Sequence, residues 1–180
     1  LELYQQMRAT GHERSDGEME LDSLMESAKI FSTPNQLFNA DRGRAASDEA
    51  VQLARQIGNH QAEARILWNR MNSENYLGEM SGALEFGERS LAIAEEFNLR
   101  DQLAFTLNDL TWSLLTLGRV DRAQEVNQRA RALWKELGNL PMLADNYSAW
   151  SFGAFWLGQF EQAVVEAEEA YRITKSIDNT

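Results

Sequence analysis

The sequence predicts an all-α fold of antiparallel helix pairs stacked as a solenoid, and three observations support this prediction. A Leu-Gly pair recurs at a spacing of 40 residues, at Leu77-Gly78, Leu117-Gly118 and Leu157-Gly158. An alanine follows each of these glycines at the same distance, at Ala83, Ala123 and Ala163. Only 2 of the 180 residues are proline, so long helices are permitted. A fixed period of this length is typical of a repeat array.

The composition is that of an ordinary folded protein, and it argues against membrane and nucleic-acid partners. Hydrophobic residues make up 43% of the chain and charged residues 25%, which is too apolar for disorder. No apolar run is long enough to span a bilayer, so we expect no membrane association. The net charge of −11 repels phosphate backbones, so we expect no nucleic-acid partner. The absence of cysteine fits a cytoplasmic protein.

The N-terminal part of the chain is less regular. Residues 1–20 are interpreted as the end of a preceding helix plus a loop, because His12 to Glu20 is polar and contains Gly17. Since the chain opens on residues typical of a helix interior and lacks an initiator methionine, we expect a single-domain fragment of a larger protein.

Residues 21–60 are expected to form a degenerate repeat. Leu21 to Phe31 has a weak apolar stripe at helical spacing, and Ser47 to Ile57 has a clearer one. Between them, Pro34 has two interpretations. It interrupts the first helix because it lacks an amide, or it occupies the first turn of a new helix with Thr33 as the cap.

Three regular repeats follow, at 61–100, 101–140 and 141–180. The first helix of each repeat, helix A, is predicted at 62–77, 102–117 and 142–157. The second, helix B, is predicted at 80–97, 120–137 and 160–177. The recurring glycine allows a tight reversal between the two helices, and the recurring alanine allows their axes to approach closely. Since one pair cannot bury its apolar face alone, stability should come from stacking of successive pairs.

These positions resemble the tetratricopeptide repeat, a helix-turn-helix unit with small residues at close helix contacts and glycine at the turn. The usual unit has about 34 residues, so this chain is similar to a longer variant. That variant looks like the repeats of the Leu-Gly-Asn mitotic adaptor and the sensor regions of large bacterial signal-transduction ATPases, such as the maltose-regulon activator. The resemblance implies a right-handed superhelix. It departs from the pattern at Phe38, in place of the turn glycine, and at Gly43, in place of the alanine.

No catalytic constellation is apparent. The chain has only two histidines, His12 and His60, and contains neither a phosphate-binding glycine loop nor a serine-nucleophile motif. His12 lies among acidic residues, but their spacing matches no known metal site, and a solvated loop explains them. We therefore expect no enzymatic activity, no cofactor and no metal.

The resemblance implies that helix A lines a concave groove, and the repeat assigns specific residues to that wall. Tryptophan and asparagine are frequent among them, and aromatic side chains with adaptable polar neighbours are typical of recognition surfaces. The candidate groove residues are Arg65, Trp68, Asn69, Asn72, Tyr76, Phe105, Asn108, Asp109, Trp112, Asp145, Phe152 and Trp156. Packing between neighbouring A helices is the alternative role for several of the aromatic residues.

Three functions remain open. The first is a non-enzymatic scaffold that binds a protein or peptide segment in the groove. The second is a small-effector sensor region of a bacterial transcriptional regulator or signalling ATPase. The third is an assembly segment that self-associates through open repeat ends, with Tyr171 and Ile173 on the last stacking face.

Overall fold

The computed structural model of the chain describes residues 1–177, and over this range it consists of nine α-helices joined by short turns. Their bounds are α1 (Glu2–Arg14), α2 (Gly17–Ser32), α3 (Ala40–Ile57), α4 (His60–Leu77), α5 (Met80–Glu96), α6 (Arg100–Thr116), α7 (Val120–Leu137), α8 (Leu140–Trp156) and α9 (Phe160–Ile177). The all-α prediction is confirmed. From α4 onward, every helix begins and ends within two residues of its predicted bounds.

The chain divides into two compact units. Unit 1, Leu1–Leu99, contains α1 to α5, and unit 2, which begins at Arg100, contains α6 to α9. Consecutive helices pack most closely as the pairs α2–α3 and α4–α5 in unit 1, and as α6–α7 and α8–α9 in unit 2. The assignment of repeats to residues 21–60, 61–100, 101–140 and 141–180 stays a prediction.

The expected loop over His12 to Glu20 is wrong. Helix α1 continues to Arg14, and only Ser15, in the left-handed region at φ 55°, and Asp16 separate it from α2. The Asp16 carboxylate caps α2 by accepting a hydrogen bond from the Met19 amide at 3.0 Å. Gly11 is buried at the contact of the two helices, where an added Cβ would lie 2.9 Å from the Glu20 amide nitrogen. These polar and glycine residues therefore serve a helix cap and a close crossing.

The first of the two interpretations of Pro34 is the observed one, because α2 ends at Ser32 and the next helix begins only at Ala40. The Asn35 side chain holds the intervening segment by donating to the Ile30 carbonyl at 2.7 Å and accepting from the Leu37 amide at 2.6 Å. Asn39 then caps α3 by accepting from the Arg42 amide at 3.0 Å. The longer turn explains why the glycine expected at Phe38 is absent.

The regular repeats have the predicted turns and crossings. Gly78, Gly118 and Gly158 have φ between 72° and 82°, the left-handed region in which glycine ends a helix at low cost. The alanine that follows each turn is buried, with Ala83 and Ala123 fully inaccessible to solvent. These alanines lie where helix B crosses helix A, so a larger side chain would separate the helices.

Both units combine an apolar core with buried polar groups. Leucine, isoleucine and alanine side chains from α2, α3 and α4, such as Leu21, Leu24 and Leu67, fill the core of unit 1. Unit 2 has an apolar core around Trp134 but also a buried polar network. In that network, Asn146 donates to Asn108 at 2.9 Å, and Arg131 donates to Asn146 at 2.9 Å and to Glu166 at 2.7 Å. The network therefore connects all four helices of unit 2.

The hydropathy of the helices does not fit a bilayer. None of those within residues 1–177 is at once long enough and apolar enough to cross a membrane.

Candidate functional site

The predicted groove residues fall in both units, and each unit is described by itself. In unit 1 they lie on α4. Arg65 and Tyr76 are exposed, whereas Trp68, Asn69 and Asn72 are half-buried. The Tyr76 ring meets the edge of Phe38 at a centroid distance of 5.9 Å. The segment that follows Pro34 thus supplies an aromatic neighbour to the end of helix A.

In unit 2, three of the predicted residues form a continuous aromatic row. Trp112 on α6 lies 5.8 Å from Phe152 on α8, and Phe152 lies 5.9 Å from Trp156, measured between ring centroids. Trp112 and Phe152 occupy the same position of successive repeats, which is why α6 and α8 bring them together. The exposed fractions rise along the row from 38% at Trp112 to 50% at Phe152 and 70% at Trp156. We call these three residues the aromatic row.

The polar candidates of unit 2 are arranged differently from the groove prediction. Asn108 is buried, with 4% of its surface exposed. Its amide donates to Asp145 at 3.1 Å and to Asp109 at 3.2 Å, while its carbonyl oxygen accepts from Asn146. Asn108 thus connects the exposed Asp145 to the buried network, and its donor and acceptor groups have partners inside the unit.

Phe105 belongs to the packing of unit 2. Its ring is half-buried and meets the edge of the fully buried Trp134 at a centroid distance of 4.9 Å. This is the alternative role that was open for the aromatic residues of helix A.

Unit 2 also contains an apolar cleft of about 800 Å³ between α8 and α9. Apart from Phe152 and the expected stacking residue Tyr171, its lining residues were not among the candidates predicted from the sequence. Large exposed side chains line it, chiefly Phe152, Phe155, Phe160, Val164 and Tyr171, and small residues form its floor. The signal was present in α9, where Phe160, Val164 and Tyr171 recur at helical spacing on a face separate from the buried one. Of the two expected stacking residues, Tyr171 is 65% exposed, but Ile173 is buried on the opposite face of α9.

The cleft and the aromatic row form one surface, because Phe152 belongs to both. Every side chain that lines the cleft is uncharged. The ammonium group of Lys175 lies 5.5 Å from the Tyr171 ring centroid and marks the charged border of the cleft. An uncharged aromatic surface of this kind suits an apolar ligand group with few polar requirements.

Comparison with known proteins gives matches at the level of structure. No protein-family model matches the sequence, and no curated protein matches it either. BtubC (BKLC) from P. vanneervenii aligns with a TM-score of 0.83 at 18% identity, over 96% of this chain and 70% of that one. The apo form of RapI aligns with a TM-score of 0.73 at 13% identity, over 98% and 71% of the two chains.

A third similar structure is that of a protein with a tetratricopeptide repeat sensor. The signal transduction ATPase with a tetratricopeptide repeat sensor from Pyrococcus horikoshii aligns with a TM-score of 0.70 at 16% identity. The match covers 98% of this chain and 30% of that protein. These likenesses, together with the paired helices and their glycine turns, show that the chain has the tetratricopeptide-type repeat fold that its sequence resembles.

Proposed function

We propose that this tetratricopeptide-type chain is a non-enzymatic, cytoplasmic binding or scaffolding module that holds a protein or peptide segment. The observation that carries the proposal is the aromatic row, with its continuation into the cleft between α8 and α9. Folded proteins seldom leave a contiguous set of large aromatic side chains exposed without a partner to cover it. Such side chains also dominate the binding energy of protein interfaces.

The chemistry of the surface favours a segment with apolar side chains at helical or extended spacing. The cleft supplies apolar contacts, and the Asp145 carboxylate, which accepts a hydrogen bond from the Asn108 amide, supplies an exposed acceptor. The helix A residues of unit 1, Arg65, Trp68, Asn69, Asn72 and Tyr76, are proposed as a binding surface of that unit. Their exposed and half-buried side chains offer both polar and aromatic contacts.

A small-effector sensor is the second candidate function, and the volume of the cleft favours it. A cavity of about 800 Å³ lies within the range of about 300–1,000 Å³ that is usual for small-molecule sites. The known ligand pockets of that class combine apolar walls with a few polar groups. Here Ser148, Ser151 and Thr174 are the only polar side chains besides Tyr171 among the residues that line the cleft.

Self-association is the third use proposed for the same surface. The apolar stripe of α9 includes Val164, 57% exposed, and Tyr171, 65% exposed, and a second copy of the chain could cover both. The cleft would then be an assembly surface, and its occupation by another copy would compete with a peptide.

The aromatic row is tested by selecting peptides from a displayed random library on the wild-type chain and measuring their affinity for variants. We expect Phe152→Ala, which removes the ring shared by the row and the cleft, to weaken the selected peptides at least about tenfold. Leu140→Ala on the same helix is the control, because Leu140 is exposed but lines no part of the cleft. Equal affinities for wild type and Phe152→Ala would refute the proposed surface.

A further inference from the structure

A second cavity, in unit 1, has a chemistry opposite to that of the apolar cleft. It measures about 250 Å³ and lies between the two B helices α3 and α5, over α4. Buried apolar side chains such as Ile66 and Leu67 form its floor. Three arginines, Arg55, Arg70 and Arg89, lie on its walls. This concentration of positive charge is notable in a chain whose net charge is −11.

Arg70 is the central residue of this cavity. Only 9% of its side chain is exposed, and its Nε donates to Glu74 at 2.7 Å. Its Nη1 is buried and has no hydrogen-bond acceptor anywhere in residues 1–177. An Asp48 carboxylate oxygen lies 3.7 Å from this nitrogen, which is beyond hydrogen-bonding distance. A buried guanidinium nitrogen without an acceptor lowers the stability of the fold. An anionic group that accepts a hydrogen bond from Nη1 would remove this loss.

The neighbouring carboxylates are already engaged. Glu74 accepts from Arg70 and also accepts two hydrogen bonds from Arg44, at 3.1 and 2.7 Å. Glu74 therefore bridges two guanidinium groups. Glu63 is engaged with Arg55 at 2.5 Å. Beyond its bond to Glu74, Arg70 has only the long contact with Asp48, and its Nη1 can still donate to a group that enters the cavity.

Phe86 holds a second arginine beside the first. The Arg70 guanidinium carbon lies 4.9 Å from the Phe86 ring centroid, and that of Arg89 lies 5.5 Å from the same centroid. Arg89 is 38% exposed, and its nearest carboxylate is Glu85 at 3.9 Å. Two guanidinium groups on one aromatic ring form a fixed pair of donors of the kind that recognises carboxylates and phosphates.

We propose that the cavity between α3 and α5 binds one oxyanionic group, a phosphate or a carboxylate, held by the guanidinium groups of Arg70 and Arg89. The Asp48 carboxylate, which is 66% exposed and joined to the cavity wall by a single long contact, is the group that the ligand displaces. The volume of about 250 Å³ suits one anionic side chain or ion. The site is formed by residues of α3, α4 and α5, and it shares none of them with the aromatic row.

The repeat itself shows that packing does not require arginine at this position. The residues that occupy it in the two following repeats are Leu110 and Trp150, both buried and apolar. An arginine that replaces a core residue and keeps a nitrogen without an acceptor is better explained by a ligand than by stability.

The test is a titration of the chain with inorganic phosphate, and in parallel with acetate, at constant ionic strength. The readout is the nitrogen-15 resonances of the arginine side chains. We expect saturable shifts at Arg70 and Arg89. A response to phosphate alone identifies a phosphoryl group as the ligand, whereas a response to acetate as well identifies carboxylates. The absence of saturable shifts with both anions would overturn the proposal.

Three variants separate this site from general attraction of anions. Asp48→Asn removes the competing charge and should tighten binding at least about fivefold, as expected for a unit charge about 4 Å away in a hydrated setting. Arg70→Leu, which installs the residue of the next repeat, should abolish binding. Arg119→Leu removes an exposed arginine that does not line the cavity and should have no effect. Weaker binding by Asp48→Asn, or equal losses in both leucine variants, would contradict the assignment.

A further variant, Arg89→Gln, distinguishes a loss of binding from a folding defect. If Arg70→Leu loses helicity, Arg89→Gln replaces it, because the partly exposed Arg89 side chain can be changed without opening the core. We expect Arg89→Gln to weaken phosphate binding at least about fivefold while circular dichroism stays unchanged. Unchanged binding by a folded Arg89→Gln variant would exclude the paired-arginine site.

Discussion

Two tryptophans of unit 2 provide a direct measure of which aromatic residues build the fold and which are available for binding. Trp134 on α7 is fully buried, whereas Trp156 at the end of α8 is 70% exposed. The same substitution, tryptophan to alanine, should therefore have very different effects on stability. We expect Trp134→Ala to destabilise the chain strongly and Trp156→Ala to leave it folded with near-normal stability.

The magnitudes follow from the buried areas. A tryptophan side chain contributes up to about 250 Å², and less than a third of Trp156 is buried. About 75 Å² of lost contact, at about 25 cal/mol per Å², gives an upper limit of about 2 kcal/mol for Trp156→Ala. Full burial and the cavity left behind place Trp134→Ala at about 3–5 kcal/mol. The difference between the two variants should exceed about 1 kcal/mol.

The assay is urea denaturation followed by circular dichroism, with the midpoint and slope determined for each variant. Trp134→Phe is a useful third variant, because the Trp134 Nε1 is buried without an acceptor within the described chain. Phenylalanine keeps most of the ring contact with Phe105 and removes that cost, so it should restore most of the lost stability. Equal destabilisation by Trp156→Ala and Trp134→Ala would refute the assignment of Trp156 to a binding surface.

Two further predictions concern α9 and Glu74. Val164→Glu should reduce concentration-dependent self-association in sedimentation equilibrium, because Val164 lines the cleft. Val165→Glu is the control and should have no such effect, because Val165 is about equally exposed but does not line the cleft. A wild-type chain that is monomeric at all concentrations would rule out self-association. Burial raises the pKa of Glu74, but hydrogen bonds from Arg44 and Arg70 outweigh it and hold this pKa below its ordinary value. Ionised Glu74 therefore stabilises the fold above its unfolded-state pKa, and this contribution is lost as pH falls through the lower folded-state pKa. Glu74→Gln should make thermal stability less dependent on pH in that acidic range, and identical pH profiles would contradict this.

The helices of the regular repeats could be predicted closely because their boundaries are set by local chemistry. Glycine follows most of these helices in the left-handed conformation, and Asn98 takes this conformation after α5. An asparagine such as Asn59 or Asn139 caps a helix A through its own side chain. The N-terminal region lacks this period. There, the close contact at Gly11 is made with a neighbouring helix, and the local Asp16 cap was not recognised as a helix start, so this stretch was interpreted as a loop.

The candidate site could be predicted only in part. Repeat register correctly places Trp112 and Phe152 side by side, because equivalent positions of successive A helices are neighbours. Register says nothing about how a side chain uses its hydrogen-bonding groups. Asn108 and Asn72 were assigned the same role, but Asn108 is buried because Asn146 and Asp145 happen to supply partners across the helix contact.

Two arginines replace apolar residues in the repeat pattern, and the comparison between them indicates where an external ligand is needed. Arg131 takes the place that Leu91 has one repeat earlier. Its Nε, Nη1 and Nη2 all have acceptors inside unit 2, from Asn146 and Glu166. The charge of Arg131 is thus accounted for within the fold.

Arg70 also replaces an apolar residue of the repeat, but not all of its guanidinium nitrogens have acceptors. Its Nε is satisfied by Glu74, and its Nη1 has no acceptor among residues 1–177. If Arg70 and Arg131 were both only part of the packing, we would expect the guanidinium nitrogens of both to have acceptors. A buried charged donor without an acceptor destabilises the fold by more free energy than its hydrogen bond would contribute. The one that is incompletely satisfied also lies on the wall of a cavity with a second arginine. The difference between Arg131 and Arg70 therefore separates a structural network from a binding site.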